Sequence, residues 1–321
     1  MTNYRDFFQR NYGIFSEEEQ EKIKNLRILI IGCGGIGATV AIMLARSGVS
    51  HFTLVEFDAY SPSNMNRQIA CFVDTIGRNK ADVVKDDILR INPDATVTIY
   101  EKLLSHRKVA ELITDVDMVF PAADDFAFSL FVFRDAKKLR KPALMVVPSG
   151  TWAHVSIIKP DDPSPEDLEG VPKLSTYEEL RDTLAIRKYK FGTYFYVPIA
   201  DWRIDYYRAF IEEDLPPAQI CPTVWLSSAL GAFEVMKCAT DKWEPVASPR
   251  YWNITRRSIR INRINGLSLH TLLRWQRKLM WKIFQTPLGS YQEKLQALWW
   301  NFYYSWMKRR ERRRQSSQDS A

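Results

Sequence analysis

Cysteine is scarce in this sequence and is not clustered. The 321 residues include four cysteines, Cys33, Cys71, Cys221 and Cys238, and no CxxC pair. That pattern argues against a disulfide framework and against a four-cysteine zinc site, and it suits a reducing cytoplasm. We therefore expect a cytoplasmic protein without structural zinc.

Long apolar runs are missing as well. The apolar stretches are as short as strands and soon reach charged residues, so none is a candidate for a membrane-spanning helix. The start, Met1 to Asp6, lacks the apolar segment of a secretory signal. Hydrophobic residues still make up 46% of the chain, which is enough for a full core and argues against disorder.

Acidic residues are rare in the last part of the chain, so the net charge of +7 is a misleading average. From Arg256 onward there are 15 Lys and Arg against 3 Asp and Glu, whereas the preceding part has 30 against 35. The basic character therefore belongs to the C-terminal tail, and the body is mildly acidic. We expect any electrostatic partner at the tail first.

Strand and helix patterns alternate along the first half of the chain. A helix over 14–25, with Ser16 as N-cap and Glu19 three residues on, precedes the first strand. The predicted strands are 26–31, 52–57, 95–101, 117–122, 142–148 and 152–158. The predicted helices between them run from the glycine turn to about Ser47 and over 76–91, 106–114 and 126–139. This alternation predicts an α/β fold with a doubly wound, mostly parallel sheet.

The second half departs from this alternation. Residues 160–175 are acidic and proline-rich and do not fit one regular element, and residues 176–218 favour an inserted helical loop. A helix is predicted over 223–239. A strand pair predicted within 250–264 extends the sheet in antiparallel fashion. The predicted parts are a helical arm (1–25), an α/β domain (26–160), a crossover or substrate-loop insertion (161–221), the rest of the α/β domain (222–265) and a basic, aromatic helical tail (266–321).

A glycine-rich turn follows the first predicted strand. It reads Gly32-Cys-Gly34-Gly35-Ile-Gly37, and its glycines let backbone N–H groups approach a phosphate at a helix N-terminus. Glu56 ends the next strand, 19 residues after Gly37. A carboxylate there accepts hydrogen bonds from both ribose hydroxyls, in NAD and in ATP alike. The turn thus predicts a nucleotide site but does not distinguish NAD from ATP.

Two cations and an acidic residue favour ATP. Ser63-Asn64-Met-Asn-Arg67-Gln68 follows the second strand, and Lys80 begins a helix 13 residues after Arg67. Asp124 ends the fourth strand, at the edge where such sheets bind ligands. Hydride transfer creates no new phosphate charge, whereas adenylyl transfer brings an anionic carboxylate to the α-phosphate and needs cations there. Asp124 is suited to Mg²⁺, which binds one or two carboxylates together with phosphate oxygens.

These motifs resemble, in order and spacing, those of the ThiF/MoeB/HesA superfamily, which includes the ubiquitin-activating enzymes. The resemblance covers about residues 8–160 and, more loosely, 220–264. It rests on Gly32–Gly37, Ser63–Gln68, Gly77-Arg-Asn-Lys-Ala81 and Ala122-Ala-Asp-Asp125. It implies a Rossmann-like adenylyltransferase that uses ATP to activate the carboxylate of a ubiquitin-like protein or a peptide as an acyl-adenylate.

The resemblance also implies roles for single residues. Glu56 binds ribose, Asp124 holds Mg²⁺ and serves the adenylation step, and the remaining ATP-site residues are Gly32, Gly34, Gly35, Gly37, Asp58, Ser63, Asn64, Arg67, Gln68 and Lys80. Arg10 matches an arginine that crosses the interface of the family's homodimers to the partner's ATP. We therefore predict a homodimer with Arg10, Arg67, Lys80 and Asp124 as its catalytic residues.

The chain departs from the family on the substrate side. Asp125 stands where asparagine is usual, and Ser129 and Phe133 stand where the next helix usually has arginine and asparagine. The zinc-binding cysteine pairs are absent, and no cysteine between 72 and 220 is available for a thioester. The chain is thus similar to the zinc-less bacterial branches. Asp125 is equally well explained as a helix N-cap.

Several functions stay open beside peptide or protein activation. One is a threonylcarbamoyladenosine dehydratase, which would bind tRNA through the basic tail. Another is a nicotinamide oxidoreductase built on the same glycine turn. A third is a non-catalytic partner subunit that binds ATP without turnover.

The tail predicts two helices broken near Pro287-Leu-Gly289. In the second helix an apolar stripe recurs at helical spacing, formed by Tyr291, Leu295, Leu298, Trp299, Phe302, Tyr303 and Trp306. Three explanations stay open for residues 266–314: packing on the body or on the dimer partner, contact with an anionic membrane surface, and binding of RNA or an acidic peptide. The second would make a cytoplasmic protein peripheral to the membrane.

Overall fold

The computed structural model describes residues 3–187, 200–213, 215–264 and 269–318. The chain divides into two units, one of residues 1–168 and 219–266 and one of residues 169–218 and 267–321. The predicted insertion and the predicted tail therefore fall mainly into the same unit. Residues 188–199 and 214 of the insertion, and 266–268 and 319–321 of the tail, lie outside the described residues.

An eight-stranded sheet forms the middle of the first unit. The strands are β1 (Arg27–Ile31), β2 (His51–Val55), β3 (Thr96–Tyr100), β4 (Met118–Pro121), β5 (Ala143–Ser149), β6 (Trp152–Ile158), β7 (Arg250–Thr255) and β8 (Ser258–Arg263). Their order is β3-β2-β1-β4-β5-β6-β7-β8. The pairs from β3 to β5 are parallel, and those from β5 to β8 are antiparallel. The predicted doubly wound sheet with an antiparallel extension is confirmed.

Helices of the first unit cover both faces of this sheet. The helices among the described residues are α1 (Tyr4–Phe7), α2 (Glu17–Asn25), α3 (Gly35–Arg46), α4 (Lys80–Ile91), α5 (His106–Thr114), α6 (Phe126–Lys138), α7 (Pro165–Glu169), α8 (Tyr177–Arg187), α9 (Ile204–Glu212), α10 (Cys221–Thr240), α11 (Leu269–Phe284) and α12 (Gly289–Gln318); of these, α8, α9, α11 and α12 belong to the second unit. Ile28 and Ile30 of β1 pack with α3, α4 and α10, whereas Leu29 and Ile31 pack with α5 and α6. A strand buried on both faces explains the continuous apolar run from residue 26.

Capping side chains set where several helices begin. Ser16 and Glu19 form the predicted capping box at α2. Asp125 accepts a hydrogen bond from Phe128 N at 2.9 Å, which confirms it as the N-cap of α6. The start predicted for α4, residue 76, is wrong. Gly77 has a φ of +88°, outside the helical region, and the Asn79 side chain caps the helix, so α4 begins at Lys80.

In the second unit, α9 and α12 pack through an aromatic cluster. Tyr207 of α9 contacts Trp300 of α12, and Phe210 of α9 belongs to the same cluster. Asp205 accepts a hydrogen bond from Tyr304 at 2.8 Å and forms an ion pair with Lys308. The bonds from Lys308 and Tyr304 hold the pKa of the Asp205 carboxyl below its usual value. The inward face of α12 is therefore the one that carries Trp300, Tyr304 and Lys308.

The predicted apolar stripe of α12 is not this inward face. Tyr291, Leu295, Leu298 and Phe302 are 67–71% exposed, and Trp306 is 48% exposed. Tyr303 is partly buried, and the Trp299 side chain lies outside the described residues. Those five side chains therefore do not take part in the aromatic cluster with α9, and the three explanations for the tail remain predictions. The aromatic cluster with α9 is formed by the neighbouring face instead.

The tail helices are long but not strongly apolar. Within the ranges that the structure describes, none of the helices is both long and apolar enough to cross a membrane.

Candidate nucleotide site

The glycine turn lies tightly against the end of β4. Gly32 has a φ of +95°, and a Cβ on it would come within 2.7 Å of the backbone of Ala122. A Cβ on Gly37 would lie 1.8 Å from the carbonyl oxygen of Gly32. Only glycine fits at these two positions. The turn leads directly into α3, and the N–H groups at the start of a helix can bind a phosphate.

Arg67 and Gln68 lie directly on this turn. The Arg67 Cγ atom is 3.6 Å from the place a Cβ would take on Gly35, and Gln68 Nε2 is 3.6 Å from the corresponding place on Gly34. Gln68 is buried, and its Oε1 has no hydrogen-bond partner in the described part of the chain. A buried amide beside an open glycine cradle is suited to a bound polar ligand. The predicted cationic residue, Arg67, thus lies against the predicted phosphate-binding turn.

Protein acceptors hold two nitrogens of the Arg67 guanidinium. Its Nε donates to Gln219 Oε1 at 2.8 Å, and its Nη1 donates to Ser63 O and to Asn66 Oδ1, each at 2.9 Å. Trp225 Nε1 donates to the backbone oxygen of Arg67 at 2.9 Å. Within the described ranges Nη2 has no acceptor, so this edge is left for a ligand oxygen. Gln219 and Trp225 were not among the site residues predicted from the sequence.

Glu56 connects the glycine turn with the end of β2. Its carboxylate is buried and accepts hydrogen bonds from Cys33 N and from Asp58 N, each at 2.9 Å. Each carboxylate oxygen can accept more than one hydrogen bond, so a ribose hydroxyl remains compatible with this arrangement. Through these contacts Glu56 connects the glycine turn with the loop that follows β2.

Lys80 reaches the same edge from α4. It is the first residue of that helix, its backbone N–H donates to Asp58 O at 3.0 Å, and its side chain is 8% exposed. The Nζ atom lies 3.1 Å from Asp58 Oδ2. The ammonium group therefore adds to the positive N-terminal end of the helix. Asp58, which was assigned to the ATP site, contacts Lys80 directly.

Asp124 is exposed beyond the end of β4. Its carboxylate makes no hydrogen bond or ion pair with the described residues, in contrast to the neighbouring cap Asp125. A free carboxylate at this edge fits Mg²⁺, which takes few protein ligands when phosphates supply the others. No group of three His, Cys, Asp or Glu that could hold a metal occurs in the ranges described. Asp124 thus remains the candidate Mg²⁺ ligand, and the expectation of no structural zinc stays a prediction.

Two further motif residues shape the loop. Asn64 Oδ1 accepts a hydrogen bond from Ser61 N at 3.0 Å, and the Ser61 and Ser63 hydroxyls are 2.9 Å apart. Ser63 is exposed. Its backbone oxygen also receives the Arg67 bond described above. These residues fold the loop that presents Arg67.

The substituted positions on α6 have no free polar group facing the crevice. Ser129 is buried, and its hydroxyl is 3.4 Å from the backbone oxygen of Ala123. Phe133 is buried in the core between the sheet and α6. The chain therefore lacks at these positions the polar side chains that the resemblance implies for the substrate side.

Arg10 lies apart from the other predicted site residues. It is exposed and makes no hydrogen bond or ion pair with any described residue. The next residue, Asn11, donates to Ser47 O at 2.9 Å, just after the last residue of α3. The glycine turn is at the other end of that helix, roughly 18 Å away at 1.5 Å per residue over twelve residues. The structure does not bring Arg10 to the glycine turn of its own chain.

Burial separates the cysteines. Cys33 is fully buried in the turn, where burial and then Glu56 raise the pKa of its thiol. Burial also raises the thiol pKa of Cys71, and that of Cys238 to about 12. Cys221 is partly exposed at the start of α10. The prediction that Cys33 only fills space in the turn agrees with its complete burial.

Curated relatives match the nucleotide-binding part of the chain. The molybdopterin-synthase adenylyltransferase of Escherichia coli (strain K12) is 37% identical over 113 residues, which cover 35% of this chain and 45% of the relative. The tRNA threonylcarbamoyladenosine dehydratase of Bacillus subtilis (strain 168) is 32% identical over 139 residues, 43% of this chain and 54% of the relative. The chain thus spans about half the length of these two relatives.

Solved structures share the fold over a longer stretch. The E. coli protein MccB, crystallised with ATP, superposes with a TM-score of 0.61 at 23% identity. The match covers 82% of this chain and 71% of MccB. At this level of identity the likeness concerns the fold alone. The sequence pattern of the ThiF family matches residues 8–271, and the chain is therefore a member of the ThiF family.

Proposed function

We propose that the chain is an ATP-dependent adenylyltransferase of the ubiquitin-activating type that activates the carboxylate of a small protein or peptide. The observation that carries this proposal is the placement of Arg67 on the glycine turn, with Lys80 and Asp124 at the same edge of the sheet. A dinucleotide needs the turn but not the two cations. A triphosphate under attack by a carboxylate needs both.

The proposed step is an in-line substitution at the α-phosphorus. A carboxylate oxygen forms a bond to phosphorus, the bond to the pyrophosphate oxygen breaks, and pyrophosphate leaves with the electron pair. The products are R–CO–AMP and pyrophosphate. Arg67 and Lys80 offset the negative charge that the carboxylate brings to the phosphates. Asp124 would hold Mg²⁺, which supplies charge neutralisation to the phosphate oxygens.

We also propose that the working form is a homodimer. Arg10 is exposed, makes no bond to the described residues, and lies near the far end of α3 from the glycine turn of its own chain. An arginine in that position serves catalysis only if it enters the site of another subunit. Exposed apolar side chains on α10, among them Trp225, Leu226 and Phe233, support an interface in the first unit.

An RNA substrate is the second candidate. The tRNA-modifying relative from B. subtilis and the basic tail favour it. Under this alternative the carboxylate belongs to a modified nucleoside, and the tail contacts the RNA backbone. RNA affinity falls steeply with salt, whereas binding of a small peptide through apolar contacts does not.

The outer face of α12 supports a further partner. Its exposed apolar residues Tyr291, Leu295, Leu298 and Phe302 continue, at helical spacing, into exposed Arg309 and Arg313. An apolar face that continues into basic residues is typical of a helix lying on an anionic membrane surface. We therefore propose a cytoplasmic protein that binds membranes peripherally through residues 266–314, with an acidic protein as the alternative partner.

ATP–pyrophosphate exchange tests the proposed function. Labelled pyrophosphate should enter ATP only when a carboxylate substrate is present, since the acyl-adenylate step is reversible. Candidate peptides, small proteins and threonylcarbamoylated tRNA are compared in parallel, with peptide amides as controls that lack the carboxylate. ATP binding without exchange for any substrate would favour the non-catalytic alternative. Tight NADH binding without ATP binding would favour the oxidoreductase.

A further inference from the structure

The segment from Gln219 to Trp225 holds Arg67 at both ends. Gln219 Oε1 accepts from the guanidinium Nε at 2.8 Å, and the Trp225 indole donates to the Arg67 backbone oxygen at 2.9 Å. These two residues are 152 and 158 positions away in sequence. Neither belongs to the four motifs on which the resemblance rests. The way in which Arg67 is held is therefore visible only in the folded chain.

The bond from Gln219 decides which edge of the guanidinium is available. With Nε on Gln219 and Nη1 on Ser63 and Asn66, the planar group has a fixed orientation. Nη2 is the nitrogen without an acceptor in the part of the chain that is described. Without Gln219 the guanidinium could rotate about its last side-chain bonds, so its free edge would not point in one direction. Fixing it in advance lowers the ordering cost of binding a phosphate.

Gln219 is itself held by the loop next to the site. Its backbone oxygen accepts from Asn66 Nδ2 at 3.0 Å, and its Nε2 donates to Pro148 O at 3.4 Å. A parallel bridge joins it to Gly150, between β5 and β6. Both its backbone and its side-chain amide therefore have hydrogen-bond partners. The residue is anchored well enough to orient another side chain.

We propose that Gln219 is a positioning residue that presents Arg67 Nη2 to the triphosphate. It is the first residue of the first unit after residues 169–218, which belong to the second unit. The proposal rests on the proposed function, because it concerns the same ATP site.

A double-mutant cycle on Mg·ATP affinity tests the proposal. Gln219→Met keeps the length of the side chain but removes the acceptor. We expect it to weaken Mg·ATP binding about tenfold, the size typical of losing one hydrogen bond to a charged group. In an Arg67→Ala background the same change should have no further effect, because its only route is through Arg67. Gln285→Met, at an exposed glutamine of the second unit, is the matched control.

The outcomes separate this proposal from the proposed function. If the unmodified chain fails to bind Mg·ATP, the proposed function is wrong. If it binds but Gln219→Met binds equally well, Gln219 does not position Arg67. An equal loss in both backgrounds would also overturn the proposal, because it would show a route that bypasses Arg67.

A second variant distinguishes positioning from a general structural role. Gln219→Glu keeps an acceptor for Nε but adds a negative charge near the phosphates. Its exchange kcat should stay closer to that of the unmodified chain than the kcat of Gln219→Met, while its KM for ATP rises. A kcat no better than that of Gln219→Met would contradict the proposal. Thermal unfolding of each variant verifies that the fold is intact.

Discussion

The Glu56 carboxylate accepts a hydrogen bond from the backbone N–H of Cys33 at 2.9 Å, and its second oxygen accepts one from Asp58 at the same distance. One buried side chain thereby joins the glycine turn to the residue that contacts Lys80. The arrangement of the site thus depends on a group for which the resemblance implied only ribose binding.

Replacing Glu56 by glutamine tests this double role. Glutamine retains one oxygen and places an NH₂ group against one of the two backbone donors. We expect the free energy of unfolding to fall by about 1–3 kcal/mol, the cost of an unsatisfied buried donor. Mg·ATP affinity should fall as well. Urea denaturation and a nucleotide titration measure the two effects, with exposed Glu101→Gln as the control; unchanged stability would show that the Cys33 and Asp58 contacts contribute little.

Arg10 provides a test of subunit sharing. An arginine supplied across an interface is worth ~10³–10⁵ in rate in phosphoryl-transfer enzymes. Arg10→Ala and Lys80→Ala should each lose exchange activity as pure proteins. Mixed together, they should regain part of it, because one kind of site in the mixed dimer has both residues intact. Exchange that stays at the level of the separate variants after subunit mixing would argue against sharing.

The glycine turn and the alternation of strands and helices could be predicted, because each follows from the local sequence pattern. Helix α5 was predicted with its exact bounds, since Ser105 caps it and its apolar spacing is regular. The contacts of Arg67 could not be predicted, because Gln219 and Trp225 approach it only after the chain has folded. The pairing of Lys80 with Asp58 depends likewise on how α4 approaches the end of β2.

The tail shows a different limit of sequence reasoning. Apolar spacing identified α12 as a helix with an apolar stripe, but that helix has apolar residues on two faces. Trp300 packs inward against Tyr207, while Leu295 and Leu298 remain exposed. Periodicity cannot distinguish the two faces, because which one is buried depends on the shape of α9.

The cysteines should differ in reactivity toward iodoacetamide. The thiolate is the nucleophile, and burial keeps the pKa of the Cys33, Cys71 and Cys238 thiols above the usual value. Cys221, which is partly exposed, should be alkylated first, as mass spectrometry of peptides would detect. Cys221→Ser should retain full exchange activity. A trapped thioester on Cys221 would introduce a covalent step that the account lacks, and loss of exchange in that variant would show that Cys221 is needed for adenylation itself.

The outer face of α12 should bind anionic vesicles. Co-sedimentation is expected with vesicles of phosphatidylcholine and phosphatidylserine and not with pure phosphatidylcholine, because the face joins apolar residues to arginines. Leu295→Glu/Leu298→Glu should abolish binding, whereas Leu103→Glu, at an exposed leucine of the first unit, should not. Equal binding by all three proteins would remove the proposed surface. Salt-sensitive binding of tRNA without vesicle binding would favour the alternative in which the tail binds RNA.

Direct titration of Mg·ATP against NADH tests the central claim, which is that Arg67, Lys80 and Asp124 converge on a triphosphate laid over the glycine turn. The unmodified chain should bind Mg·ATP in preference to NADH. Arg67→Ala and Lys80→Ala should weaken Mg·ATP binding, Asp124→Ala should remove its dependence on Mg²⁺, and exposed Arg107→Ala should change neither. A chain that prefers NADH, or one whose ATP affinity is unchanged in all three site variants, would contradict the account.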